Sequence, residues 1–136
     1  MPLEERIVVT TDADIVSART HAKDLADTLG FSRTDQALIA AAVSEVARNI
    51  VVYAGAGEIV LRAERGDGRW GLLVVATDEG PGIADPDQAL TDGYSTVGSL
   101  GVGLPGSRRL MDSLEIDTEV GRGTTVTMRK WADGRG

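Results

Sequence analysis

The sequence predicts an α+β two-layer sandwich, a mixed but mostly antiparallel sheet with helices on one face. Three observations carry this expectation. Two amphipathic runs follow one another between Thr11 and Tyr53. Strand-like runs meet at two glycine turns, Arg65-Gly66-Asp67-Gly68 and Gly121-Arg122-Gly123, and hairpins favour antiparallel pairing. The 136 residues suit a single compact domain covering 1–136, with enough chain for one core.

The elements follow in order. Glu5–Thr10 reads as a first strand. Thr11-Asp12 offers cap chemistry for a helix through about Leu29, with Ile15, Ala18, Ala22, Leu25, Ala26 and Leu29 on one stripe and Gly30 as a stop. Thr34 is the expected cap of a second helix that runs to about Tyr53, its apolar side made of Leu38, Ile39, Ala42, Val43, Val46 and Ile50. Strands are expected at Glu58–Glu64 and Arg69–Thr77. The stretch from Asp78 to Gly103 carries Gly80, Gly82, Gly93, Gly98, Gly101 and Gly103, too many for regular structure throughout, with a short helix near Asp87–Leu90. Leu104–Asp112 reads as a helix, Leu114–Glu119 and Thr124–Trp131 as the last strands, and Ala132–Gly136 as a frayed tail.

Composition narrows the function. A net charge of -7 argues against a general grip on nucleic acid, which needs clustered Lys and Arg. It leaves ATP open, because magnesium and backbone N–H groups can hold phosphates. No cysteine is present, so disulfides and thiolate metal sites are excluded. With no basic-plus-apolar leader and no apolar run near the roughly 18 residues of a membrane span, a soluble cytoplasmic protein is expected.

Three segments hold the chemistry. Glu45 and Asn49 lie four residues apart and so share one face of a helix. An amide oxygen is a hard neutral ligand suited to magnesium, and a nearby carboxylate can take a proton from an attacking hydroxyl. Taken alone, the pair reads more simply as part of a solvated face. Asp78-Glu79-Gly80-Pro81-Gly82-Ile83 ends a run of apolar residues; its glycines permit a tight turn, and the Asp78 carboxylate can accept a hydrogen bond from the amino group of adenine. An ordinary turn would look the same in isolation. Gly98-Ser99-Leu100-Gly101-Val102-Gly103-Leu104 can close over phosphates ahead of a helix N-terminus, or be a plain surface loop. Gly101–Gly106 fits the dinucleotide fingerprint by letter, but no hydrophobic strand precedes it and no βαβ unit surrounds it, so a Rossmann sheet is excluded. Thr124 or Thr125, after the last turn, can offer a hydroxyl to the base. His21 and the pair Arg108 and Arg109 are read as structural or solvated.

Together these residues resemble the GHKL, or Bergerat-type, ATP-binding domains of gyrase B, chaperones, histidine kinases and mismatch-repair proteins. Glu45 and Asn49 are similar to the N box, Asp78–Gly82 to the G1 box, Gly98–Leu104 to the G2 box, and Gly123-Thr124-Thr125 to the terminal threonine motif. Within that superfamily the chain resembles small serine/threonine kinases that act as anti-sigma factors and stressosome switch proteins. The resemblance implies Glu45 as general base, Asn49 as magnesium ligand and Asp78 as adenine reader. It implies Gly80 and Gly82 as shapers of the pocket, Gly98, Gly101, Gly103 and Leu104 as the phosphate lid, and Thr124 as the residue that closes the base site. ATP and Mg2+ are the implied cofactors. Implied partners are STAS-domain antagonist and scaffold proteins and a PP2C-type phosphatase, in a partner-switching pathway. Two other readings stay open: an anti-sigma kinase that binds a sigma subunit, and an ATP-gated binding module without catalysis.

Overall fold

Alternation along β1 (Glu4–Val9) buries Ile7 and Val9 and leaves Val8 exposed. The computed structural model describes residues 4–80, 110–119 and 121–132. Thr11 then caps α1 (Asp12–Thr28): its hydroxyl accepts from the Asp14 N–H, and the Asp14 carboxylate reaches back to the Thr10 and Thr11 N–H groups at 2.9 and 3.1 Å. Those donors, Thr10 first, hold the Asp14 carboxyl below its ordinary value of 3.8.

The second helix, α2 (Arg33–Asn49), starts earlier than its composition suggested. Ser32, not Thr34, is the cap, with extended backbone and its hydroxyl accepting from the Asp35 N–H at 3.1 Å. Nor does the α-helix continue to Tyr53. After Asn49 the winding widens into a π-helix, Ile50–Ala54, closed by the Gly55 N–H donating to the Ile50 carbonyl at 2.8 Å. By length and composition alone Arg33–Ala54 could cross a membrane, which amends the expectation that no run comes close. Its apolar side is committed elsewhere: Ile39, Ala42, Val43, Val46, Ala47 and Ile50 are all buried in the core.

The sheet has the order β1-β2-β3-β5-β4, from β2 (Gly57–Gly66), β3 (Arg69–Asp78), β4 (Ser113–Glu119) and β5 (Gly123–Trp131). Its four pairings among the described strands are all antiparallel. Gly66 pairs with Arg69, which leaves Asp67 and Gly68 at φ 53° and 77° as a two-residue turn of the primed kind that matches strand twist. The helices cover the face carrying Ile59, Leu61, Leu72, Val74, Ala76, Val126 and Met128. Full burial of each large side chain contributes about 1.5–3 kcal/mol. The opposite face carries ion pairs, Arg6 with Glu58, Arg62 with Glu4, and Arg129 with Glu64.

Residues 110–112 are fastened to the last strand. The largely buried Lys130 donates from Nζ to the Leu110 carbonyl at 3.0 Å, and the Asp112 carboxylate accepts from the Trp131 N–H at 2.8 Å. Leu110 is helical; the rest of the expected helix before it, and the expected short helix near Asp87–Leu90, lie outside the described residues. Ala132 is not frayed: it is buried, and its N–H donates to the Trp70 carbonyl at 2.8 Å.

Candidate functional site

One end of the helix-covered sheet face gathers three of the five described candidates, Asp78, Gly80 and Thr124, around a single corner. The ladder sets a row there. Gly57 on β2 pairs with Asp78 on β3, Asp78 pairs with Thr124 on β5, and Thr124 pairs with Thr118 on β4. Directly paired residues point to the same side of a sheet, and Thr124 alternates in phase with the buried Val126 and Met128. Asp78 and Thr124 therefore face the helix layer together.

Steric contacts bring the end of α2 to this row. A β-carbon on Gly57 would lie 2.7 Å from Ile50 Cγ2 and 2.5 Å from the Thr77 carbonyl oxygen. One on Gly80 would lie 2.7 Å from the β-carbon of Ala54. Only bare backbone at 57 and 80 admits the π-helix so close to Asp78. Gly123 has φ 121°, a conformation that other residues rarely adopt, and a side chain there would overlap the Asp78 carbonyl. Asp78 itself is half-buried, and its Oδ1 accepts from the Gly80 N–H at 2.8 Å, which fixes the carboxylate at the start of the turn.

Asn49, the last residue of α2, has both side-chain polar atoms buried with no hydrogen-bond partner among the described residues. An unsatisfied buried polar group costs about 1–3 kcal/mol, so an orphaned amide in a core helix needs an explanation outside packing. A hard cation meets the oxygen's chemistry, and Mg2+ takes such neutral oxygens readily. Glu45, one helical turn earlier, is half-buried. It makes no hydrogen bond or ion pair among the described residues.

An open cleft of about 660 Å³ runs along Ala54, Ala56, Gly57, Thr77, Asp78 and Glu79, within the roughly 300–1,000 Å³ of small-molecule pockets. It touches the Asp78 side of the corner; Glu45, Asn49 and Thr124 are not among its described walls. Gly82, Gly98, Gly101, Gly103 and Leu104 lie outside the described residues. His21 bonds its own helix, Nδ1 lying 2.8 Å from the Ser17 carbonyl, as a structural residue does. Gly57 and Thr118 went unremarked in the sequence, although counting outward from Gly121 places Thr118 opposite Thr124.

Residues 8–130 match the histidine kinase-like ATPase domain. The chain belongs to that family. It is 46% identical over 123 residues to the serine/threonine-protein kinase RsbT of Bacillus subtilis, covering 90% of this chain and 92% of the relative. An anti-sigma F factor of Caldanaerobacter subterraneus is 32% identical over 120 residues, covering 84% and 82%. A solved structure of the RsbU and RsbW domains of a Mycobacterium tuberculosis protein shares the fold, with a TM-score of 0.66 at 22% identity over 99% of this chain. This chain spans 34% of that longer one. The α+β architecture is thus that of the family, and the chain is an RsbT-like serine/threonine kinase.

Proposed function

We propose that this kinase transfers the γ-phosphoryl group of ATP to a serine or threonine hydroxyl on a STAS-domain antagonist or scaffold protein. Once released from that partner, it binds and activates a PP2C-type phosphatase in a partner-switching pathway of the cytoplasm. The observation that supports this chemistry is the buried amide of Asn49, without a hydrogen-bond partner among the described residues, at the end of the helix that packs near the row of Asp78 and Thr124.

Each residue has a distinct task. Asp78 accepts from the exocyclic amino group of adenine and Thr124 lines the same base site, while Gly80 keeps the turn open to the ring. Asn49 would hold Mg2+ through its amide oxygen. When bound with ATP, that ion supplies neutralisation of the phosphate charge. Glu45 accepts the proton of the acceptor hydroxyl as its oxygen bonds the γ-phosphorus and the bond to the β,γ-bridging oxygen breaks, leaving ADP. Gly82, Gly98, Gly101, Gly103 and Leu104 would complete the pocket and cover the phosphates.

The deciding experiment incubates the protein with labelled ATP and a purified STAS domain. Label on the STAS domain is the expected outcome. A chain that shows an ATP-dependent thermal shift but never labels a partner would be a nucleotide-gated binding module instead. The likeness to an anti-sigma F factor supports a second reading, in which a sigma subunit is also bound. Pull-downs against sigma factor, STAS protein and phosphatase separate the two.

A further inference from the structure

Lys23, Arg33 and Arg48 are exposed cations that form no ion pair among the described residues, in a chain whose net charge is -7. The first two meet at a pocket of about 400 Å³ between the end of α1 and the start of α2, which Asp27, Gln36 and Ala37 also line. Asp27 pairs with neither cation. Its Oδ1 accepts instead from Nε2 of the buried Gln36 at 3.3 Å, and the same Nε2 donates to the Phe31 carbonyl at 2.9 Å.

From that pocket the solvent side of α2 runs toward Glu45. Residues four apart share a helix face, so Arg33, Ala37 and Ala41 form one exposed stripe, which Arg48 extends seven residues on. Val52, 61% exposed, follows in the π-helix. At 1.5 Å of rise per residue the two arginines stand about 22 Å apart along the axis. The stripe holds no carboxylate, and its alanines let a partner's surface come close to the helix. Glu45 lies on its edge, four residues after Ala41 and three before Arg48. A protein that delivers a hydroxyl to Glu45 comes from solvent, and this stripe is the solvent side of α2 there, since the other side is packed in the core.

We propose that the stripe is the docking surface for the protein substrate, and that it takes an acidic face of that partner. It rests on the kinase reading given above and adds the chemistry that the partner presents: carboxylates to meet Lys23 and Arg33 at one end and Arg48 at the other, with an apolar group against Val52. Charge complementarity of this kind speeds encounter and fixes orientation more than it adds affinity. Here the orientation it fixes sets the acceptor hydroxyl beside Glu45.

Arg33→Glu and Arg48→Glu test this in the full chain, with a purified STAS domain as acceptor and saturating Mg·ATP. Both positions are exposed, so thermal midpoints should stay close to wild type. Each reversal should raise the KM for the STAS domain about three- to tenfold and leave kcat within about twofold. It should also flatten the rise of that KM with added salt, because the screened attraction is gone. Arg33→Lys and Arg48→Lys, which keep the charge, should behave as wild type. So should Arg69→Glu, the same change of charge at the end of β3 away from Asp78. A wild-type KM for the STAS domain in both reversals, or an equal rise in Arg69→Glu, would overturn the docking surface and leave the kinase standing. A raised ATP KM in Arg48→Glu with no effect of Arg33→Glu would also overturn it, by giving the guanidinium to the phosphates. Self-association lost in Arg33→Glu with the STAS KM unchanged would assign the face to a second copy of this chain instead. A wild type that shifts thermally with ATP but labels no STAS domain would bring down the acceptor reading, and the docking surface with it.

Discussion

Ile50 and Gly57 meet so closely that a methyl group on residue 57 would lie 2.7 Å from Ile50 Cγ2. Through this contact the end of α2, with Asn49, is set against the strand pair that carries Asp78. Gly57→Ala cannot be relieved by moving the isoleucine alone, because the Thr77 carbonyl stands at 2.5 Å on backbone that does not swing away. A loss of about 1–3 kcal/mol is expected, as for overpacked cores, read from urea unfolding at constant m. ATP affinity should fall in the same variant. Unchanged stability would show that the π-helix yields freely at this point.

A companion test uses the other contact. Gly80→Ala should weaken ATP binding by pressing on Ala54, and Ala54→Gly in the same chain should recover part of it, since the clash is methyl against methyl at 2.7 Å. Isothermal titration of wild type, single and double variants reads the coupling. No recovery in the double variant would place the damage elsewhere in the turn.

The cap of α1 makes a pH prediction. Asp14 has its pKa lowered by the Thr10 and Thr11 N–H donors, so its contribution to stability is present above the ordinary value of 3.8 and is lost as pH falls through the lower folded value. Asp14→Asn should therefore differ from wild type near neutrality and converge with it in acid. Unfolding midpoints measured across that range check the convergence; a constant gap between the two proteins would show that the carboxylate charge is not what the cap uses.

Much of the fold was legible because it rests on local signals. The Asp67-Gly68 turn declares its own geometry, and the stripes on both helices name their buried sides. What was not legible depends on geometry that has no local signature. Ser32 and Thr34 are chemically alike as caps, and only the chain's exit from Phe31 decides between them. The switch to π winding after Asn49 follows no compositional rule. The pairing of Thr118 with Thr124 depends on strand register, and that is set by the number of residues between Glu119 and Gly123. For the site, the sequence supplied residue types in the right order. The fold supplied the meeting of Asp78, Gly80 and Thr124, and set the end of α2 against their row through two close contacts at glycines.

Glu45 and Asp78 should separate binding from chemistry. Glu45→Ala is expected to keep ATP affinity while transfer falls by about 100-fold or more, the usual share of a general base. Asp78→Asn keeps the size of the side chain but presents an amide, so ATP binding itself should weaken by about tenfold, the size of a charge-assisted hydrogen bond. Nucleotide titration beside single-turnover transfer measures both. Wild-type transfer by Glu45→Ala would remove that carboxylate from the mechanism.

Asn49→Leu gives opposite signs in two measurements. The buried amide has no partner for either polar atom among the described residues, and a ligand-free fold that leaves it so bears its desolvation cost. Leucine has nearly the same shape and no polar atoms. The ligand-free variant should therefore be as stable as wild type or more so, by about 1–3 kcal/mol. A residue kept only for packing would not behave in this way. In Mg·ATP the order should reverse: wild type gains the linkage stabilisation that bound nucleotide confers, and the variant gains little. Thermal unfolding with and without Mg·ATP reads both effects on the same samples. If Asn49→Leu is destabilised in the absence of ligand yet shifts normally with Mg·ATP, the amide serves the core and some other group holds the metal.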